Sequence, residues 1–215
     1  MDYFRIKFSV RSGGHSPNLG WSSIGSYGVL LDMQKLVQVD LSEDTAVVGV
    51  GPGAVWGDVM ASLSSHCVSV VGGRIPNVGV AGLILGGGYS YLSGEFGTAA
   101  DNVKNFEVVL SNGSIVNANS VENSDLFWAL KGGGPNFGIL TGFNMHTMPG
   151  HDVWYEVSIY STDQAFEVLD AFTLWHTSDQ FDSKASVTLF VSLTFITVAL
   201  LYSVLTQRPM VFAPF

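Results

Sequence analysis

Between residues 4 and 10 (FRIKFSV) apolar and polar side chains alternate, the two-residue period of a half-buried strand. The run stops at Arg11-Ser12-Gly13-Gly14-His15. Short β-like runs follow at 27–32, 36–40 and 46–50, separated by Gly, Ser and Asp turn signals. Over 53–66 the apolar residues Val55, Val59, Met60 and Leu63 fall at helical spacing, which predicts a helix. Residues 68–71 read as a buried strand, and a long glycine loop then runs through Gly88.

The clearest local hairpin pairs 106–110 with 115–118 across Asn112-Gly113, a dipeptide suited to the positive φ angles of a two-residue turn. SDLFWALK (124–131) reads as a helix with Ser124 or Asn123 as N-cap and Gly132 ending it, and its Phe127 and Trp128 as core residues. Residues 139–147 form a further strand. At Met148-Pro149-Gly150 the texture changes, and glycine becomes scarce. A strand (153–160), a helix (164–176) and more strand follow, so a domain boundary is placed there: 1–148 and 149–215. The segment 185–207 carries no charge, which raises a membrane span. Its alternation of Thr188, Ser192 and Thr194 with Leu189, Val191, Leu193 and Phe195 fits a covered strand pair better.

Composition narrows the function classes. Of the 215 residues 47% are hydrophobic and 13% charged, against a mainly disordered chain. Nine basic residues are scattered among eighteen acidic ones, for a net charge of −9. That balance argues against a nucleic-acid binder and against attraction to an anionic membrane. The single Cys67 excludes an intrachain disulfide and any cysteine-built zinc site, and is expected as a small buried residue. His66, His146, His151 and His176 lack metal-ligand spacing. Asn112-Gly113-Ser114 is a glycosylation sequon on the expected hairpin tip, usable in a secreted protein. The localisation itself is not legible.

Glycine is the outlier, with 25 residues against a usual share of roughly 7%. Three clusters hold many of them: RSGGHS at 11–16, GVAGLILGGGY at 79–89 and GGGPNFG at 132–138. Backbone without Cβ atoms lets amides approach an anion closely, and pyrophosphate is the usual guest. Neither G-x-G-x-x-G with a downstream acid nor the P-loop signature is present. A single such loop reads as a tight turn; three, one of them following a strand and ending in a histidine, point to a large phosphate-bearing cofactor.

RSGGHS, PNVGVAGLILGGGYS, AADNV and GGGPNFGI, in that order, resemble the FAD-binding (PCMH-type) domain of the vanillyl-alcohol-oxidase superfamily. The likeness is nearest to the berberine-bridge-enzyme-like FAD-linked oxidoreductases and runs from about residue 5 to the C-terminus. It implies an α+β fold, small sheets flanked by helices, followed by the start of an α/β substrate domain with an antiparallel sheet.

The resemblance also implies site roles. The backbone of Ser12, Gly13, Gly14, His15 and Ser16 would cradle the FAD pyrophosphate, with His15 bonded covalently to the flavin 8α-methyl. Pro76, Val78, Gly79, Gly82, Gly86, Gly87, Gly88 and Tyr89 would line the cofactor from the second cluster. Asn102, Val103 and Ile139 would line its adenine and ribose end. Ile75 stands where bicovalent members carry a second, cysteine anchor, so single attachment is expected. Val78 stands at the family's dioxygen gate and resembles oxygen-reactive members. Ala81 and Leu83 replace a common glycine and a histidine of relatives.

The resemblance implies an FAD-dependent oxidase that takes a hydride from an alcohol-type or other C–H donor, a small-molecule substrate, and passes electrons to dioxygen. The alternative is a truncated flavin-binding fragment without turnover. Ten residues precede RSGGHS and the chain stops part-way through the expected substrate domain, so it is expected to lack the family's catalytic base and to expose an unpaired sheet edge. Glu95 and Asp101 read as turn or cap residues.

Overall fold

The computed structural model describes residues 6–179 and 182–215. In chain order the first elements are β1 (Lys7–Arg11), β2 (Gly28–Asp32), β3 (Val39–Leu41), β4 (Val47–Val50), α1 (Trp56–Ser64), β5 (Val68–Ser69), α2 (Val80–Leu85) and α3 (Ser93–Phe96). They are followed by β6 (Val103–Val109), β7 (Ile115–Asn119), α4 (Ser124–Leu130), β8 (Ile139–His146), β9 (Met148–Pro149), β10 (Trp154–Tyr160), α5 (Ala165–Thr177), β11 (Ala185–Val191) and β12 (Ile196–Tyr202). Two compact units result, one within Met1–Ser90 and Gly97–Gly150, the other within Tyr91–Phe96 and His151–Phe215.

The first unit is built on an antiparallel sheet of order β3-β4-β8-β6-β7. Its strands alternate as a one-sided sheet should: Val48 and Val50 of β4, Phe106 and Val108 of β6, and Phe143 and Met145 of β8 are buried. Against these pack Trp56, Val59 and Leu63 of α1 and Val80 and Ile84 of α2. Each such fully buried side chain contributes about 1.5–3 kcal/mol relative to exposure. β1 and β2 form a separate parallel pair in which Arg11 lies opposite Asp32. Residues 4 and 5 of the expected first strand lie outside the described residues.

The second unit carries the antiparallel sheet β10-β12-β11. Ile196, Val198 and Leu200 of β12 pack with Val168 of α5 and with Phe212, whose ring stacks on Trp154 at 5.5 Å. The uncharged 185–207 segment is therefore mostly a strand pair, with Leu189 opposite Val198. Among the described residues no helix is long and apolar enough to cross a membrane. The mixed helix-and-sheet fold expected from the sequence is the one that forms, with antiparallel main sheets.

Several local expectations are corrected. The stretch 80–85 is a helix, not loop: Val80, Ala81, Ile84 and Leu85 share one buried face, a periodicity hidden between two groups of glycines. The 36–40 strand shifts to Val39–Leu41, leaving Val37 half exposed. The hairpin is not closed by a two-residue turn. Only Gly113 takes a positive φ (83°), and the Leu110 amide donates to the Ser114 carbonyl, a three-residue loop with glycine at its left-handed position. Asn123 sits at the N-cap of α4, but its amide donates instead to the Asn117 carbonyl at 2.7 Å. Trp128 is 81% exposed, since α4 turns Phe127 rather than Trp128 toward the core. Cys67 is also exposed, held at φ 56° in the turn between α1 and β5.

Candidate functional site

The three glycine clusters fall along one seam of the first unit. β1 delivers RSGGHS beside the loop that opens α2, and there main chain meets main chain. A Cβ on Gly13 would lie 2.5 Å from the Gly79 nitrogen and 2.7 Å from its Cα. One on Gly79 would lie 2.6 Å from the Ser12 hydroxyl and 2.8 Å from the Gly13 Cα. Neither position admits a side chain, which is why both are glycine. Ser12 in turn donates to the Pro52 carbonyl at 2.6 Å.

Pro76 and Val78 fasten the α2 loop to the start of α1. The Pro76 carbonyl accepts from the Gly57 amide at 2.9 Å, and that of Val78 from the Trp56 amide at 3.1 Å. The Val78 side chain packs against the core.

At the other end of α2 the chain turns through Gly87 (φ 92°) and Gly88 (φ 79°). Their carbonyls accept from Ala100 and Ala99, both at 2.9 Å. The third cluster joins here, since the Gly134 amide donates to the Leu85 carbonyl at 2.9 Å. Gly82 and Gly86 are exposed, and Tyr89 is 74% exposed.

The adenine-end residues do not converge in the same way. Asn102 lies at the entrance to β6, where its amide donates to Thr98 and its carbonyl accepts from His146. Val103 is buried opposite Met145, whereas Ile139 lies opposite Val109. Val103 and Ile139 therefore sit at opposite ends of the β6–β8 ladder, about 20 Å apart for six residues of strand.

The first cluster leaves main-chain donors unused by the fold. Among the described residues none of the amides from Ser12 to Ser16 donates to a backbone carbonyl. His15 is exposed, and among the described residues its imidazole has no hydrogen-bond or ion-pair partner. A cavity of about 620 Å³ opens beside it, lined by Ser12, Gly13, Gly14 and Ser16 together with Asn18, Asp32 and Gln34. Free main-chain donors around the Gly13-Gly14 pair fit a pyrophosphate, and an accessible imidazole beside them fits a covalent tether.

One part of the site was not singled out from the sequence. Arg11 forms an ion pair with Asp32, while Gln34 donates to the same carboxylate from its side chain at 2.6 Å and its amide at 3.2 Å. The Arg11 stem runs under Gly14, 3.2 Å from where a Cβ would stand. The signal was the pairing of two strands that both end in a charge. Lys131 was also passed over. It ends α4 with its ammonium 4.2 Å from the Phe127 ring and 3.4 Å from the Asp101 carbonyl, and burial lowers its pKa.

Three carboxyls are held below the ordinary carboxylate range: Asp32 by Arg11, Asp44 by the Ser42 hydroxyl and Asp101 by the Thr98 hydroxyl. Depressed folded-state values mean that their stabilisation is present above about pH 4 and is lost as pH falls through the depressed values. Thermal midpoints are thus expected to hold from pH 7 to about pH 4 and to fall below it. Asp32→Asn should flatten part of that fall; an acid limb as steep as the parent's would mean that Arg11 does not engage Asp32 in solution.

A glycine-seamed α+β domain with unspent main-chain donors belongs to the class that binds dinucleotide cofactors. Residues 2–119 match the family model for the FAD binding domain, over half of the chain, and the chain belongs to that family. It is 44% identical over 98% of its length to an FAD-dependent monooxygenase of Arthrobotrys oligospora, and covers 41% of that protein. It is 36% identical over 99% of its length to the bifunctional solanapyrone synthase of Alternaria solani, again covering 41%. Among solved structures, BBE-like 1 of Physcomitrella patens matches at TM-score 0.88 and 26% identity, over 99% of this chain and 46% of that one. A carbohydrate oxidase from Microdochium nivale matches at TM-score 0.84 and 25% identity, over 99% and 46%. The chain spans less than half the length of each of these proteins. The resemblance to PCMH-type, berberine-bridge-enzyme-like FAD-linked oxidoreductases is borne out.

Proposed function

We propose that the protein is an FAD-dependent oxidase acting on an alcohol-type or other C–H donor, with FAD tethered singly through His15 and dioxygen as electron acceptor. The observation that carries this reading is the Gly13–Gly79 contact, which fixes a loop whose Ser12–Ser16 amides donate to no backbone carbonyl among the described residues, next to an exposed imidazole with no partner among them. When bound, FAD supplies a two-electron acceptor for the donor C–H bond. Ser12–Ser16 would hold its pyrophosphate by main-chain donation, and His15 would prevent its loss. Arg11, ion-paired with Asp32, would keep the loop in shape. The glycines at 86–88 and 132–134 would let the cofactor lie against bare backbone. A monooxygenase and a carbohydrate oxidase are among the proteins this chain resembles, and action on a small organic donor is compatible with both.

The test is acid precipitation of purified protein followed by flavin absorbance. A yellow pellet is expected, and in His15→Ala the colour should move to the supernatant as dissociable FAD. A pellet still yellow after that substitution removes His15 from the tether. Peroxide release on mixing the flavinylated protein with sugar or alcohol donors then tests the acceptor, and flavin reduction without peroxide would replace the oxidase reading by a dehydrogenase.

A further inference from the structure

The β6–β7 hairpin tip has no part in the cofactor seam, yet its geometry is that of an acceptor. Of ten asparagines in the chain, Asn112 alone is followed by a small residue and then Ser or Thr. We propose that Asn112 is an N-glycosylation site, modified when the chain passes through the endoplasmic reticulum.

Residues 111–115 are all exposed. The Asn112 Oδ1 accepts from the Ser114 hydroxyl at 2.7 Å and from the Ser114 amide at 2.9 Å, so the two side chains that define the sequon already meet. That leaves Nδ2, the atom to be modified, without a protein partner among the described residues. Gly113 supplies the left-handed turn (φ 83°) and has no atom within 4 Å of its missing Cβ, so nothing crowds the acceptor from that side.

In the transfer, Nδ2 forms a bond to the anomeric carbon of an oligosaccharide carried on a polyprenyl pyrophosphate. The carbon–oxygen bond to the pyrophosphate breaks, Nδ2 gives up one proton, and polyprenyl pyrophosphate leaves. An oligosaccharyltransferase supplies the catalysis, and no oxidant or reductant is needed.

The position also suits a glycan physically. It lies at the Val109 end of β6, about 20 Å along the strand from the Val103 end, where Asn102, Ala99 and the Gly87–Gly88 turn gather. It adjoins β7, which ends the strand order of its sheet and carries the 66% exposed Ile115. A bulky hydrophilic group there obstructs strand addition by another chain along that open edge.

The experiment translates the chain behind a cleavable signal sequence in the presence of microsomes. The protease-protected product is expected to show a mobility shift that endoglycosidase H removes. The shift should vanish in Ser114→Ala and in Asn112→Gln and persist in Ser114→Thr. A protected product with no shift overturns the proposal, as does a shift that survives Asn112→Gln. Enzymatic removal from the undenatured product is expected, because the tip is exposed; release only after denaturation would overturn the folded-state acceptor.

Discussion

In the His15→Ala background, where flavin is not tethered, Gly79→Ala is expected to strip the protein of flavin, while Gly82→Ala, three residues on, should leave a more stable protein that also binds FAD less well. The contrast follows from what a Cβ meets at each place. At Gly79 it meets the Ser12 hydroxyl at 2.6 Å and the Gly13 Cα at 2.8 Å, and backbone cannot swing aside as a side chain can. The RSGGHS loop must then part from α2, a shift of the kind that costs about 1–3 kcal/mol in packed interiors. Expressed on a cofactor held by that loop, as proposed, this is on the order of a five- to hundredfold loss of affinity. At Gly82 a Cβ meets nothing within 4 Å, and the residue lies within α2. The protein itself gives no reason for glycine there, since alanine would gain about 1 kcal/mol of helix stability. That gain should raise the apoprotein midpoint by about 2–4 °C. In the proposed function a cofactor lies against the helix at this position, and on that proposal flavin content should drop even as the midpoint climbs. Thermal melts of apoprotein with the flavin-to-protein absorbance ratio of each variant read both effects. Full flavin loading of Gly79→Ala would show that the loop contact does not shape the site.

How much of this was legible before the structure depended on the range of the interaction. Local periodicity placed β1, α1, α4, α5 and the β11–β12 pair close to where they form, because each shows its buried face within a few residues. The glycine clusters were visible as composition, and their order along the chain carried the family. Register was not visible. That Gly13 touches Gly79, or that Arg11 and Asp32 close the same loop, follows from how β1, β2 and α2 pack, and no spacing rule relates positions that far apart. Burial was misjudged for the same reason at Trp128 and Cys67, where residue type suggests the interior but the helix phase and a left-handed turn place them outside. Likewise α2 was hidden because its four buried apolar residues lie between glycines that, taken singly, argue for loop.

Phe106→Ala is expected to remove a large share of the first unit's stability. Phe106 is fully buried in β6, opposite Ala118 of β7 and Phe143 of β8, and its ring lies 5.8 Å from that of Phe127 on α4. Ala118 is too small to fill the gap, and the two strands that flank Phe106 are fixed by their ladders, so the cavity stays open. Truncation of a phenylalanine in such a site costs about 3–5 kcal/mol, against a total stability of about 5–15 kcal/mol for a typical domain. The loss also reaches the cofactor seam, because Phe127 seats α4 on the sheet and α4 leads directly into Gly132–Gly134. Trp128→Ala on the same helix removes a larger ring that is 81% exposed, and should change stability by no more than about 0.5 kcal/mol. Urea midpoints of the two variants, followed by intrinsic fluorescence and by flavin retention, separate the cases. Equal losses would mean that α4 packs through Trp128 after all, and that the phase of this helix, with the position of the glycine cluster it carries, is different in solution.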